Sequence, residues 1–402
     1  MSRVEVRLDG RTHLAVGLMS GTSHDGVSAA LVRIDERKSP PTRLVAFRTY
    51  PYTAEFRARL LAASSDGQDP ASKAGAGGIS TLNFELGRIF GAAALRVMRA
   101  ARVPIRRLSF IGSHGHTFFH LPPRRAGRAT ASTLQLAEPA VIAAMTGAPV
   151  VADFRPMDLA LGGEGAPLAH LWLFGHQRLG RVVQNIGGIG NATYLPPAAR
   201  TGDRRLVAFD TGPGGMLIDA LAARLTAGRL SMDRGGTMAA RGRVDGAMLG
   251  ELMRNPYFRR KPPKSAGREE FGAHYLDAIV RCARGRAMKP HDLAVTVTAL
   301  TARSIADACR RFILPLGRVD QLIVTGGGAR NPTPMKMIAA ELPGIEVMTA
   351  ERLGVDGDAL EAVAFAILAY QMLRGLPGNI PSVTGARSPA ILGKLTLPPK
   401  SR

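Results

Sequence analysis

Residues 17–26 read Gly17-Leu-Met-Ser-Gly-Thr-Ser-His-Asp-Gly26, and they overlap the end of a short apolar run, Leu14–Leu18. A second run, Val27–Ile34, follows at once, and a third covers Arg43–Thr49. Apolar runs of this length bounded by Gly and Ser are strands. The spacing predicts an antiparallel meander whose first hairpin carries residues 20–26. Small residues at such a turn let backbone N–H groups and hydroxyls approach phosphate oxygens. Asp25 offers the oxygen ligand that a hard cation such as Mg²⁺ prefers. The stretch lacks the Lys of the Gly-x-x-x-x-Gly-Lys-[Ser/Thr] loop, and a hairpin rather than a helix follows it. A plain Gly/Ser-rich hairpin accounts for it equally well.

Outward from this stretch, the same order recurs. Arg181–Ile186 reads as a strand, Gly187-Gly188 as a turn, Gly190–Leu195 and Leu206–Asp210 as strands, and Gly214–Leu225 as a helix. Leu322–Thr325 is a buried strand ending in Gly326-Gly327-Gly328, with a helix from Pro334 to Leu342. In the first half, Leu82–Ala101 has helical periodicity, with Phe84, Leu86, Ile89, Phe90, Ala93 and Val97 on overlapping apolar faces. Leu108–Gly112 is a strand leading into a loop, Ser113-His114-Gly115-His116-Thr117. Ser64–Gly78 and Leu121–Ser132 read as surface loops, and Asn255–Arg268 as an ordered one. Turn-rich Gly375–Thr384 returns the chain to the first domain. The halves share an order of elements rather than residues, which points to two domains of one design, as 402 residues require.

Asn185-Ile-Gly-Gly-Ile-Gly-Asn191 also sits between two strands, unlike the dinucleotide fingerprint, which opens a helix. Two glycine turns, one per half, can grip a nucleotide's phosphates from both sides. Asp210-Thr-Gly-Pro-Gly-Gly215 places a carboxylate at a strand end before a helix. It suits a general base, with the helix N-terminus assisting an anion, or it simply caps that helix. Thr325-Gly-Gly-Gly-Ala-Arg-Asn-Pro332 gives a flat ligand such as adenosine a backbone surface to pack on; a close strand–helix turn explains one glycine better than three. His114 and His116 can contact a sugar or be satisfied structural histidines. Arg155 matches a ligand carboxylate, or pairs with Asp153 or Asp158. Lys264, Arg268 and Glu269 can orient an anionic substrate or lie in a solvated loop. Glu361, on the apolar helical run Ala359–Tyr370, needs a partner, a sugar hydroxyl or the helix N-terminus.

The 53 basic residues outnumber 31 acidic ones, for a formal charge of +22, but they are scattered. Aromatics are 5%, so no base-stacking platform interleaves with them, and a solvated surface is favoured over nucleic acid. Neither of the two cysteines, Cys282 and Cys309, belongs to a metal-ligand pattern. The polar start, MSRVEVRLDG, lacks a signal-peptide core, and no run of about 18 apolar residues occurs. The expectation is a cytoplasmic globular protein with no membrane partner.

Taken in order, GLMSGTSHDGVSAALV, IGSHGHT, VVADFRPMDLALGGEGAPL, NIGGIGN, FDTGPGG, NPYFRRKPPKSAGRE, VTGGGARNP, GDALEAVAFA and NIPSVTGA resemble the successive motifs of the anhydro-N-acetylmuramic acid kinase family. The resemblance runs from about Leu14 to Leu395. It implies an α/β, two-lobed actin/hexokinase-like (ribonuclease H-like) fold, each lobe a mixed sheet flanked by helices. The lobes would be 1–149 with 380–402, and 150–379, the cleft between them holding ATP and sugar. It implies ATP- and Mg²⁺-dependent opening of the 1,6-anhydro ring by water, with phosphorylation at O6, in cell-wall recycling. Gly21, Thr22, Ser23, His24, Asp25, Gly26, Val27 and Ser28 would form the ATP-binding turn, with Asp25 near the metal. Asn185, Gly187, Gly188, Gly326, Gly327, Gly328 and Asn331 complete the nucleotide expectation. Asp210 would activate the water. His114, Arg155 and Glu361 would serve the sugar, alongside Lys264 and Arg268. A homodimer is common among such folds. His24, Ser28, His116, Gly215 and Ala137-Glu138 depart from the family pattern. Those departures keep two alternatives open: a kinase of another amino sugar, and a catalytically weak sugar or nucleotide sensor.

Overall fold

The computed structural model describes residues 8, 12–21, 24–38, 40–66, 75–121, 123–126, 130–163, 168–200 and 202–399. Thr22 and Ser23 of the expected ATP-binding turn lie outside them. The chain divides into two compact units, residues 1–173 with 358–402, and 174–357.

Among the described residues the first unit holds seven strands: β1 (His13–Ser20), β2 (Gly26–Ile34), β3 (Thr42–Pro51), β4 (Phe110–Leu121), β5 (Ser132–Leu136), β6 (Val150–Ala152) and β12 (Lys394–Thr396). Their order is β12-β6-β4-β1-β2-β3, with β5 on β4. The meander β1-β2-β3 is antiparallel, and β4 and β6 run parallel to β1. In the second unit β7 (Arg181–Ile186), β8 (Ile189–Leu195) and β9 (Val207–Pro213) repeat the antiparallel meander. Parallel strands β10 (Gln321–Thr325) and β11 (Glu346–Thr349) extend it on the β7 side. Each unit is a mixed sheet with helices packed on it.

Strand β1 shows why its sequence is so apolar: both of its faces are covered. Val16 and Leu18 enter a core with Leu82, Leu86, Phe90 and Val97 of the helix Ala76–Ala100. Burying each such side chain contributes about 1.5–3 kcal/mol. On the opposite face lies the helix Leu360–Leu373. A Cβ on Gly17 would overlap the Ala362 carbonyl, and one on Gly112 of β4 the Phe365 carbonyl. Two glycines therefore set how closely this helix lies on the sheet, and they fix the positions of Glu361 and Phe365. The overlap with the Ala362 carbonyl makes Gly17 a packing residue.

Three expectations change. The expected loop at His114 and His116 is strand, since β4 runs through both to Leu121. Gly115, at φ 79°, mimics a turn signal inside that strand. Phe84 is 46% exposed, and Leu82 takes its place on the buried face. The helix begins at Ala76, inside the segment read as a loop.

Candidate active site

In the second unit, Asp210 sits on β9 opposite Asn191 of β8. The register slips here: Gly190 pairs with Gly212 and Asn191 with Asp210, leaving Thr211 as an extra residue. Such a bulge re-aims neighbouring side chains and recurs beside active sites. The Asp210 carboxylate is held from two sides. Oδ1 accepts from Asn191 Nδ2 at 2.9 Å, and Oδ2 from the Ala266 N–H at 2.8 Å. Its main chain is tied as well. The Asp210 N–H donates to the Lys264 carbonyl at 3.0 Å, and its carbonyl accepts from Tyr257 Oη at 2.8 Å. Each carboxylate oxygen carries two lone pairs, so it can take a further proton donor while staying oriented.

Lys264 approaches Asp210 through its backbone. Its side chain is 7% exposed and donates to the Tyr257 carbonyl at 3.3 Å. The ammonium lies over the rings of Tyr257, Phe312 and Phe209, 4.7, 4.9 and 5.8 Å from their centroids. Burial lowers its pKa to about 8. This interior cation locks the segment that delivers the Ala266 N–H, a placement that neither a substrate-orienting nor a solvated Lys264 anticipated. Arg268 is exposed at the start of the short helix Arg268–Phe271.

The glycine turns separate into two kinds. A Cβ on Gly326 would meet Asn185 Oδ1, and one on Gly328 the Ile186 side chain, so internal packing accounts for both. Nothing lies within 4 Å of a Cβ on Gly327, and the nearest atoms to those on Gly187 and Gly188 are 3.5 and 3.7 Å away. Backbone open to a ligand is thus found at Gly187, Gly188 and Gly327. The helix Gly215–Leu225 does not offer its first N–H groups to an anion as expected. Gly215 N donates to the Gly187 carbonyl at 2.7 Å, and Met216 N to that of Gly188 at 3.2 Å. Asn331 caps the helix Pro332–Glu341, accepting from Thr333 N at 3.0 Å.

In the first unit, His114 and Arg155 form a directed pair. His114 is 3% exposed, and its Nδ1 lies 3.1 Å from the Gly115 carbonyl. A carbonyl only accepts, so Nδ1 carries the hydrogen. Nε2 is therefore the acceptor for Arg155 Nε at 2.9 Å. Burial, reinforced by the Arg155 charge, lowers the His114 pKa to about 3, which keeps the ring neutral. The Phe365 ring packs on it at 4.4 Å. Through this chain β4 orients the guanidinium, whose charge is felt by Glu361 and Asp158. Desolvation raises the Glu361 carboxyl above the usual range, with Arg155 pulling the other way. Asp153 is engaged by Lys394 Nζ at 2.8 Å, while Asp158 accepts from Asn379 and Thr384. The structure brings together His114, Arg155 and Glu361, three residues that sequence placed on the sugar side.

At the β1–β2 hairpin, Gly21 and His24 are half-buried and Asp25 is exposed. A Cβ on Gly26 would overlap the Tyr50 carbonyl. Val27 is fully buried in the core, and Ser28 Oγ bonds Thr49 Oγ1 at 3.1 Å. The described residues contain no group of three or more His, Cys, Asp or Glu positioned for a metal ion. Mg²⁺ held by one or two carboxylates and phosphate oxygens requires no such group, and Asp25 is a ligand of the right type. No helix among the described residues is long and apolar enough to cross a membrane.

The family model for anhydro-N-acetylmuramic acid kinase matches residues 13–398. The chain belongs to that family. Curated anhydro-N-acetylmuramic acid kinases support the assignment over nearly full length. One from Caldanaerobacter subterraneus subsp. tengcongensis is 42% identical over 96% of this chain and 97% of its own. One from Salinibacter ruber is 42% identical over 95% and 96%, and one from Bacillus cereus strain G9842 is 40% identical over 95% and 99%. As a member of this kinase family the chain is an ATP-dependent phosphotransferase. Sequence alone assigns Asn191 no role. Only the β8–β9 register shows that it holds Asp210.

Proposed function

We propose that this chain converts 1,6-anhydro-N-acetylmuramic acid, ATP and water to N-acetylmuramic acid 6-phosphate and ADP, with Asp210 as the general base. The observation that carries the reading is the Asp210 carboxylate, fixed through both oxygens beside a strand bulge. Water is a poor nucleophile, and a positioned carboxylate that accepts its proton makes attack on the anomeric carbon feasible. The new C1–O bond replaces the C1–O6 bond. The electron pair released on O6 attacks the γ-phosphorus in line, and ADP departs. Phosphoryl transfer then depends mainly on positioning and neutralisation of charge.

Arg155, aimed by neutral His114, takes the sugar's carboxylate, and Glu361 a sugar hydroxyl. Gly187, Gly188 and Gly327 let backbone approach the nucleotide. Mg²⁺, when bound near Asp25, neutralises charge on the phosphates. Turnover in ¹⁸O-labelled water tests the reading. Label at the anomeric hydroxyl of the sugar 6-phosphate supports it. Phosphorylation of an ordinary reducing sugar without label points to a different amino-sugar kinase, and binding without turnover to a sensor.

A further inference from the structure

One stretch of chain clasps Asp210. Between Tyr257 and Ala266 it makes three bonds to that residue. Tyr257 Oη donates to the Asp210 carbonyl at 2.8 Å, the Lys264 carbonyl accepts from the Asp210 N–H at 3.0 Å, and the Ala266 N–H donates to Oδ2 at 2.8 Å. The Lys264 ammonium closes the clasp by donating to the Tyr257 carbonyl at 3.3 Å, which joins the two ends of the segment. The rings around it come from three elements: Tyr257 from the segment itself, Phe209 from β9 beside Asp210, and Phe312 from the helical turn Cys309–Ile313. A single cation thus ties the segment to the strand that carries Asp210. An ammonium is costly to bury, and Lys264 is 7% exposed. Methionine has a similar length, packs well against aromatic rings and carries no such cost. Packing alone does not account for a lysine here. Ring faces attract a cation through their quadrupole, and a neutral amine lacks that attraction, so the grip depends on the proton.

We propose that Lys264 is a positioning residue for Asp210: its positive charge, rather than its bulk, holds segment 257–266 closed on the carboxylate, and removing the charge costs the base its alignment. The proposal rests on Asp210 serving as the base. Burial is the main influence on the ammonium and lowers its pKa to about 8. Asp307 of the helix Pro290–Ala308 and Asp210 of β9 act the other way. Arg260, within the segment, and Arg311 of the turn Cys309–Ile313 act with burial. Lys264 is therefore charged below about pH 8 and neutral above it. The clasp is closed at neutral pH and loosens as pH rises.

The test compares the native protein with Lys264→Met and Lys264→Arg, by steady-state kinetics and by amide hydrogen exchange at Ala266. In Lys264→Met, kcat falls about ten- to a hundredfold, the effect of a small misplacement of a catalytic group, while KM for ATP and for the anhydro sugar stays within about twofold. Lys264→Arg, whose cation also stacks on aromatic faces, regains most of the loss. Native kcat declines above about pH 8. That decline moves to higher pH in Lys264→Arg, because a guanidinium keeps its proton, and disappears in Lys264→Met. The Ala266 amide exchanges about tenfold faster in Lys264→Met and near the native rate in Lys264→Arg. Native kcat in Lys264→Met, or Ala266 exchange there at the native rate, would overturn the proposal. So would equal losses in the two variants, which would make size rather than charge the property that counts. If the native protein fails to turn over the anhydro sugar, the reaction proposed above falls, and the exchange rates still decide whether the Lys264 charge holds the clasp.

Discussion

Replacing Asp210 by Asn keeps the shape of the side chain and removes its charge. Both groups that meet the carboxylate, Asn191 Nδ2 at 2.9 Å and Ala266 N at 2.8 Å, are placed as donors. An amide has one oxygen, so whichever way it turns, its NH₂ faces a donor. The variant loses one hydrogen bond, about 1 kcal/mol, and leaves an N–H unpaired, about 1–3 kcal/mol more. Against a native stability on the order of 5–15 kcal/mol, it still folds, with a lowered melting temperature. The chemical step suffers far more. Loss of a positioned base costs about 10²- to 10⁴-fold, or about 3–5 kcal/mol of barrier. ADP release at saturating ATP and anhydro sugar reads kcat, and calorimetry with AMP-PNP checks that nucleotide binding is retained. A kcat within tenfold of native, in a protein that binds AMP-PNP normally, would remove Asp210 from the role of base.

Arg155→Lys loses the Nε that His114 orients, and a point charge replaces a planar fork. KM for the anhydro sugar rises about tenfold with a smaller change in kcat, read from initial rates. Ala137 holds φ at 139° before the helix Pro139–Thr146, in a region that favours glycine. Ala137→Gly relieves that strain and stabilises by about 1 kcal/mol, measured by thermal unfolding. Burial lowers His114 to about 3 and His116 and His170 to about 4, against 6.5 in the unfolded chain. Below pH 6.5 the unfolded chain therefore binds protons that the folded one refuses. Stability falls as pH drops from 6.5 toward 4, by at most about 4 kcal/mol per pH unit for three such groups, as denaturant midpoints across that range will show.

The strands were legible because each is a short apolar run between glycine punctuation, and both meanders follow directly from that pattern. The same pattern hides β4 past Gly112: Ser113-His114-Gly115-His116 is polar and glycine-bearing, yet Ser113, His114 and His116 are all 3% exposed or less. Polar residues inside a sheet are explained only by partners distant in sequence, here Arg155, 41 residues from His114, and Ser20, 96 residues from His116. The site divides along the same line. Asp210, His114, Arg155 and Glu361 stand out as candidates by residue type and motif. Asn191, the main-chain grip of Lys264 and Ala266, and the aromatic cage around Lys264 depend on strand register and on a segment folding back over β9.

Glycine shows most clearly where sequence reasoning stops. The type is visible, but the reason for it is not, because a missing Cβ serves a ligand and a neighbouring backbone alike. Gly17 opens the stretch from which the fold was read, yet its bare face meets the Ala362 carbonyl, and Gly112 does the same at Phe365. The two hold the helix Leu360–Leu373 against β1 and β4 so closely that Phe365 stacks on His114 and Glu361 lies within reach of the Arg155 charge. A side chain at either position would push that helix outward. The first casualty would be the neutral His114 that aims Arg155, although neither glycine touches a substrate. Gly17 is thus where the sheet that carries His114 and the helix that carries Glu361 are drawn together, whereas Gly327, within the second unit, has open space where its Cβ would stand.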